Sequence, residues 1–162
     1  MRVAGIIKNS VVNGIGIRDV LFLQGCQHHC KGCHNPETWS LDGGKDYLIE
    51  QLVDEFKDSP NDITISGGEP LLQIEDLYHL MKILNRRYGK RFWLYTGYKF
   101  EDIPSYIKIM LYDFVDVLVD GRFEIDKKDL KLQFRGSSNQ RLIDYPMSFR
   151  CNMPIEWRDK YE

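Results

Sequence analysis

The chain has 162 residues, of which 43% are hydrophobic and 28% are charged, a balance typical of a globular domain. Its formal charge of −2 excludes a whole-protein field that would attract nucleic acid or an anionic membrane. No apolar run approaches the ~20 residues needed to span a bilayer, and the opening MRVAGIIKNS lacks the apolar segment of a secretory signal. We therefore expect one domain over residues 1–162, located in the cytoplasm, with no nucleic-acid or membrane partner.

Short apolar runs bounded by turn-forming residues predict the strands. RVAGII near the start is a candidate first strand, and four clearer runs follow in chain order: VLFLQ (20–24), DITIS (62–66), FWLYT (92–96) and VDVLV (115–119). Their length and their β-branched and aromatic content favour buried strands.

Between these runs, apolar residues recur at positions i, i+3, i+4 and i+7, which places them on one face of a helix. The spacing predicts three helices, with faces formed by Ile49, Leu52, Val53 and Phe56, then by Leu77, Leu80, Met81 and Leu84, and then by Ile107, Met110, Leu111 and Phe114. Pro104 precedes the third in a position that favours a helix start. Because strands and helices alternate, the pattern predicts an α/β fold with a parallel sheet.

Polar loops marked by glycine follow four of the predicted strands. A cysteine-rich segment follows the first of the four, and GGEP (67–70), TGY (96–98) and DGRFE (120–124) follow the others. The C-terminal ends of parallel strands share one edge of a sheet, where chemistry is usually found in such folds. The four loops together therefore predict one active site.

Three of the four cysteines lie in GCQHHCKGCHNPETW with the spacing C-x3-C-x2-C, as Cys26, Cys30 and Cys33. Two disulfides are one interpretation, but a cytoplasmic chain of this size does not need them. A zinc-binding interaction module is another. Structural zinc takes four ligands, so a nearby histidine would complete the set: His28, His29 or His34.

An iron–sulfur cluster is the third interpretation, because thiolates are the usual ligands of a 4Fe–4S cube, normally one per iron. Three cysteines would leave one iron open to a substrate or cofactor. Cys151 lies more than a hundred residues away in the chain. It is in principle a fourth ligand, but we expect a free thiol there.

The cysteine spacing after one strand, with GGEP after a later one, resembles the radical S-adenosylmethionine superfamily. A closer resemblance runs from about Val12 to Asp144 and is to the activating enzymes of anaerobic ribonucleotide reductases. It rests on VNGIGIRDVLFLQGCQHHCKGCHNPETW, SGGEP, LVDGRFE and FRGSSNQRLID. Two positions depart from common patterns: Ile15 stands where the family often has proline, and Gly32 where many superfamily members have an aromatic residue.

The resemblance implies a partial, open parallel (β/α) barrel of roughly five to six strands. It also implies that Cys26, Cys30 and Cys33 hold a 4Fe–4S cluster whose open iron is chelated by S-adenosylmethionine. Reductive cleavage of that cofactor would then generate a glycyl radical on an anaerobic ribonucleotide reductase. The electron would come from a one-electron donor such as a flavodoxin.

The resemblance also suggests which residues contact S-adenosylmethionine. Backbone at Gly67 and Gly68 would approach its methionine part, and Glu69 would touch the ammonium group or brace the loop. Without the resemblance, a tight turn is the alternative interpretation of SGGEP. The backbone around Gly32, Cys33 and His34 would lie against the adenine, although His34 by itself is equally a solvated residue.

The segment RGSSNQR (135–141) carries several hydrogen-bond donors. It is either a polar surface turn, a partner-docking segment, or the ribose and carboxylate side of the cofactor site, which would involve Asn139. Arginine holds carboxylates with two hydrogen bonds, so Arg135 or Arg141 would grip the methionine carboxylate.

Other polar residues near the loops are less specific. Thr96 and Asp120 would organise the same pocket, although Asp120 is equally a turn-former. We interpret His28 and His29 as loop residues near the partner surface.

Two alternatives to the activating enzyme stay open at this level. One is radical chemistry on a different glycyl-radical enzyme or on a small molecule, against which GSSNQR argues. The other is the zinc-binding module. Iron and acid-labile sulfide in an anaerobic sample would separate a cluster protein from a zinc protein.

Overall fold

The computed structural model describes residues 1–160, so the last two residues of the expected domain lie outside the described part. Residues 1–160 form seven strands: β1 (Arg2–Ser10), β2 (Arg18–Leu23), β3 (Lys45–Asp46), β4 (Asp62–Gly67), β5 (Phe92–Tyr95), β6 (Val115–Asp120) and β7 (Arg141–Asp144). They also form four α-helices: α1 (Ile49–Phe56), α2 (Ile74–Tyr88), α3 (Ser105–Tyr112) and α4 (Tyr145–Cys151).

The strands make one sheet in the order β3-β1-β2-β4-β5-β6-β7. The four central strands, β2, β4, β5 and β6, are parallel, and they are the four clear apolar runs of the sequence. β1 pairs antiparallel with β2 and with β3 at one edge, and β7 pairs antiparallel with β6 at the other. The predicted α/β class and parallel core are therefore confirmed.

The sheet differs from the predicted one in its strand count and in its edges, because seven strands are present and both edges are antiparallel. β3 is only two exposed residues and β7 is four mostly half-buried ones, so neither gives the apolar run by which a strand is recognised. The strand order does not confirm a barrel, since no pairing joins β3 to β7 within residues 1–160. The partial barrel stays a prediction.

Three helices form where the apolar spacing predicts them. α1 buries Leu52, Val53 and Phe56. α2 buries its four predicted residues and is capped after Tyr88 by Gly89, whose φ of 68° is left-handed. α3 ends at Tyr112, earlier than the spacing suggests, although Phe114 is still buried. α4 was not predicted; the Asp144 side chain caps it by accepting a hydrogen bond from the Met147 backbone N–H.

The two faces of the sheet have different roles. On one face, strand residues such as Leu21, Ile65 and Leu94 pack with all four helices in the main hydrophobic core. On the other face, Trp93, Val117 and Val119 form a separate small cluster covered by loops. Because side chains alternate along a strand, the helices cover one face and leave the other to the loops that carry the motifs.

Within residues 1–160, no helix combines the length and the apolar character that crossing a membrane requires.

Candidate active site

Four loops at the C-terminal ends of the parallel strands meet around one pocket of about 130 Å3. They are the cysteine loop (residues 24–39), the GGEP loop (67–70), the loop after β5 (96–98) and the loop after β6 (121–124). Cys26, Cys30 and Cys33 all line this cavity, which we call the thiol pocket. The convergence predicted from the positions of the motifs is therefore present.

All four cysteines are free, which excludes the two-disulfide interpretation. Cys26 is buried, and Cys30 and Cys33 are partly buried. Burial raises the pKa values of the Cys26 and Cys30 thiols above their ordinary range. No three Cys, His, Asp or Glu side chains within residues 1–160 are grouped as ligands of a single metal ion.

Cys151 stands apart from the three pocket cysteines. It is the last residue of α4 and is exposed, and α4 packs into the helix-covered face of the sheet through Tyr145. The thiol at this position therefore lies on the other side of the sheet from the thiol pocket, in agreement with the expectation of a free thiol.

The two glycines of the GGEP loop pack against neighbouring backbone. A Cβ on Gly67 would lie 2.4 Å from the backbone N and O of Leu23, and a Cβ on Gly68 would lie 2.3 Å from the Gly25 carbonyl oxygen. The Gly68 N–H donates to the Leu23 carbonyl and the Glu69 N–H to that of Gly25, both at 2.8 Å. The close approach seen here is thus to the start of the cysteine loop, although both glycines also line the thiol pocket.

Glu69 braces three loops with one buried carboxylate. Its side chain is 1% exposed and accepts hydrogen bonds from the Thr96 hydroxyl at 2.8 and 2.9 Å and from the Gly97 N–H at 2.8 Å. It also accepts from the Leu71 N–H at 3.0 Å and lies 2.7 Å from His28 Nε2. Of the two roles considered for Glu69, these contacts favour bracing.

His28 lies in the cysteine loop as expected, but the burial of its side chain corrects the expectation that it lies near the partner surface. Its side chain is 6% exposed, and its ring meets Tyr98 edge-on with centroids 4.7 Å apart. A Cβ on Gly97 would lie 2.5 Å from the His28 ring, so glycine is needed at that position. His29 is different: it is exposed and stacks on Trp39.

Arg141 is engaged by two carboxylates, so it is not placed to grip the methionine carboxylate. Four of its N–H bonds go to Asp120 and Glu101, at 2.5–3.0 Å. These hydrogen bonds raise the pKa of Arg141 and lower that of Glu101 to about 2. Asp120 also accepts from the Phe100 N–H at 2.7 Å. The arginine therefore ties β7 to the end of β6 and to the turn after β5.

Arg135 lines a second, larger cavity of about 840 Å3, the large pocket. One guanidinium nitrogen, Nη1, donates to the Gln140 carbonyl at 2.6 Å. Its Nε is buried and has no hydrogen-bond partner among the described residues. A buried donor without a partner is costly, so Arg135 is the better placed of the two arginines to bind an anionic group.

Of three other predicted residues, one lines a pocket and two do not. His34 is exposed, lines the large pocket and packs on Phe123 with centroids 5.1 Å apart. Gly32 has a φ of 77° and is exposed, and Asn139 donates to the Arg122 carbonyl at 2.7 Å. Neither Gly32 nor Asn139 belongs to the lining of either pocket.

The two pockets form one continuous site. They share five lining residues: Cys33, Ser66, Tyr95, Phe123 and Gln140. The Tyr95 hydroxyl donates to the Phe134 carbonyl at 2.5 Å, and the Gln140 side chain accepts from the Gly136 N–H at 2.9 Å. The thiols thus stand at one end of a larger cavity.

Comparison with known proteins identifies the family. The 4Fe-4S single cluster domain family matches residues 12–143. An anaerobic ribonucleoside-triphosphate reductase-activating protein of Haemophilus influenzae is 38% identical over 80% of this chain and 89% of its own length. The protein of the same name from Escherichia coli K12 is 37% identical over 80% of this chain and 90% of its own. The chain belongs to the family of anaerobic ribonucleoside-triphosphate reductase-activating proteins. A third member, from the bacteriophage T4, is 38% identical over 81% of the chain.

The fold brings together part of the predicted site. The three cysteines, Gly67 and Gly68 meet at the thiol pocket. Sequence reasoning did not single out Tyr95, Phe123 and Gln140, which join the two pockets, or the bracing role of His28. Tyr95 is the last residue of β5 and Phe123 lies in the loop after β6, so their positions at the C-terminal ends of predicted strands were the available signal.

Proposed function

We propose that this chain is an activating enzyme that cleaves S-adenosylmethionine at a 4Fe–4S cluster and generates a glycyl radical on an anaerobic ribonucleotide reductase. The observation that carries the proposal is the set of three free thiols at one end of a continuous cavity, in a chain of this family. The thiol pocket supplies the cluster ligands, and the large pocket supplies the space for cofactor and target.

The residues present fit the cluster. Cys26, Cys30 and Cys33 give three thiolate ligands, which matches a cube with one iron left open. When bound, the two cofactors would supply one-electron chemistry: reductive cleavage of the C–S bond of S-adenosylmethionine to methionine and a 5′-deoxyadenosyl radical, which would take a hydrogen atom from a glycine Cα. The protein holds these groups in position and keeps water away from them.

Arg135 is the residue that we assign to the carboxylate of S-adenosylmethionine. Its unpartnered Nε and its place in the large pocket support this assignment, since arginine binds carboxylates through charge-assisted hydrogen bonds. Cys33 and His34 line the same pocket and would flank the adenine. Gly67 and Gly68 would face the methionine part from the thiol pocket.

A one-electron donor such as a flavodoxin would reduce the cluster, and the protein would act in the cytoplasm. A partial barrel around the four loops would leave the large pocket open on one side to the reductase.

Replacing each of Cys26, Cys30 and Cys33 by alanine tests the cluster assignment. We expect each variant to lose the cluster EPR signal and the reductive cleavage of S-adenosylmethionine after anaerobic reconstitution, because each thiolate holds one iron. Cys151→Ala is the matched control and should keep both. A Cys151→Ala protein that cannot form the cube would show that the ligands are assigned wrongly.

The assignment of the target is tested by EPR on an anaerobic mixture with a cognate reductase, S-adenosylmethionine and a reductant. We expect a glycyl doublet whose hyperfine splitting collapses when the reductase glycine carries deuterium at Cα. If the cofactor is consumed and a small-molecule product forms without a protein radical, the small-molecule alternative replaces this proposal. A colourless protein with tightly bound zinc would establish the zinc-binding module.

A further inference from the structure

We propose that Val11, Val12 and Leu130 form a docking surface for the glycine-bearing segment of the anaerobic reductase. We call these three residues the apolar rim. The inference rests on the proposed function and deepens it, because it names the part of the chain that receives the protein substrate.

All three side chains of the apolar rim are highly exposed. Val11 is 66% exposed, Val12 is 69% exposed and Leu130 is 87% exposed. Single exposed apolar residues are normal on a protein surface, but these three come from two separate loops and line the same cavity, the large pocket. Grouped exposed apolar residues mark interaction sites.

The position of the rim connects it to the reacting end of the site. Val11 and Val12 lie in the loop between β1 and β2, and Leu130 lies in the segment between β6 and β7. Cys33, which we assign to the cluster, lines the same cavity as all three. The rim, the large pocket and the thiol pocket are therefore parts of one continuous opening.

The proposed reaction indicates which partner would occupy the apolar rim. Hydrogen-atom transfer requires the glycine Cα of the target to come into contact with the cofactor inside this cavity. The glycine belongs to a protein, so the residues on both sides of it must pass the mouth of the cavity. Apolar side chains at that mouth can pack on an incoming segment and exclude water from it, which a radical intermediate needs. We therefore expect a segment of the reductase, and not a free small molecule, to pack on this surface.

The test replaces exposed rim residues and leaves Cys33, His34 and Arg135 in the same pocket unchanged. We would compare Val12→Asp, Leu130→Asp and the double variant with Ile109→Asp, a matched control on α3 at a residue that is 63% exposed. We expect the affinity for the reductase, and the number of glycyl radicals formed per cofactor cleaved, to fall at least tenfold in the rim variants. Ile109→Asp should match the wild type in both measurements.

Separate readouts distinguish this inference from the proposed function. The cluster EPR signal and the affinity for S-adenosylmethionine should stay within twofold of the wild type in the rim variants. If they fall instead, the rim belongs to the cofactor site and the docking inference is wrong. If wild-type protein forms no radical on the reductase, the proposed function itself fails, whatever the rim variants do.

Two further outcomes would also overturn the inference. One is normal affinity and normal radical yield in the double variant. The other is a rim that joins two copies of this chain: sedimentation would then show that the wild type self-associates and that the rim variants do not, while reductase activation persists. Should an aspartate variant fail to fold, Val12→Ser and Leu130→Ser give the same comparison with a smaller change.

Discussion

At the residue scale, Glu69 joins the cysteine loop, its own loop and the loop after β5. The contacts to His28, Thr96 and Gly97 all end on one carboxylate that is 1% exposed. A buried charge is tolerated when it is fully hydrogen-bonded. The local shape of the site therefore depends on each of these donors, and His28 is the one that the cysteine loop itself supplies.

Replacing His28 by alanine should destabilise the protein even without its cofactors. Losing a hydrogen bond to a charged group costs on the order of 1.5–3 kcal/mol, and the buried Glu69 carboxylate would lose one donor. We expect a lower melting temperature for the iron-free protein and a faster loss of iron from the reconstituted one. His79→Ala, an exposed position on α2, is the control; equal melting temperatures for the two variants would contradict the bracing role.

Replacing Gly68 by valine should reduce cluster content as well as cofactor binding. The added Cβ would meet the Gly25 carbonyl oxygen at 2.3 Å, and Gly25 directly precedes Cys26, so the cysteine loop must move. Iron and sulfide per chain after reconstitution measure this effect. Gly5→Val is the matched control, because nothing lies within 4 Å of a Cβ there. A full cluster with weakened cofactor affinity alone would mean that this glycine serves the ligand.

At the element scale, Arg141 connects β7 to the rest of the sheet edge. It pairs with Asp120 at the end of β6 and with Glu101 in the 3-10 turn Phe100–Asp102. β7 is only four residues long. Ion pairs at one end therefore supplement a short ladder of backbone hydrogen bonds.

The Glu101–Arg141 pair predicts an acid-dependent loss of stability. The folded pKa of Glu101 is lowered from 4.5 to about 2, so its contribution is fully present above the unfolded pKa of 4.5 and is lost as the pH falls toward 2. Glu101 is half exposed, so solvent keeps the effect small. Urea unfolding from pH 7 to pH 2 should show Glu101→Gln less stable than the wild type at neutral pH, with the difference vanishing in acid.

The control for this measurement is Glu55→Gln, an exposed position in α1. Its difference from the wild type should be small and should not follow the same pH window. A Glu101→Gln stability curve that coincides with that of the wild type at every pH would show that the pair contributes nothing to folding.

At the scale of the whole molecule, the hydrophobic core and the site occupy opposite faces of the sheet. The main core joins the strands to all four helices, whereas the cysteine loop contributes only Cys26 to the buried apolar residues. Stability and cofactor binding are therefore carried by largely different residues.

This separation predicts the effect of removing iron. We expect the iron-free protein to keep its α/β circular dichroism spectrum and a single cooperative unfolding transition, because the core does not need the cluster. Amide exchange should increase mainly in residues 25–39. The measurement compares reconstituted and chelator-treated protein under anaerobic conditions. Loss of the cooperative transition after chelation would show that the cluster holds the fold together.

The sequence by itself determined the parallel strands, three of the helices and the grouping of three thiols in one loop. Apolar runs and helical spacing depend on neighbouring residues, and the three cysteines lie within eight positions of one another. These features can be recognised without knowing any distant contact. The order of the motifs can also be recognised without any distant contact, because each motif follows its own predicted strand in the chain.

Only the tertiary structure showed which polar side chains form hydrogen bonds with one another. His28 meets Glu69 across 41 positions, and Arg141 meets Glu101 across 40, so the sequence alone did not separate His28 from His29, or Arg135 from Arg141. The tertiary structure also revealed the short antiparallel strands β3 and β7. Each is recognised as a strand only because it pairs with a neighbouring strand, β3 with β1 and β7 with β6. Long-range hydrogen bonds and edge strands leave no periodic trace in the chain, whereas burial in a helix or a central strand does.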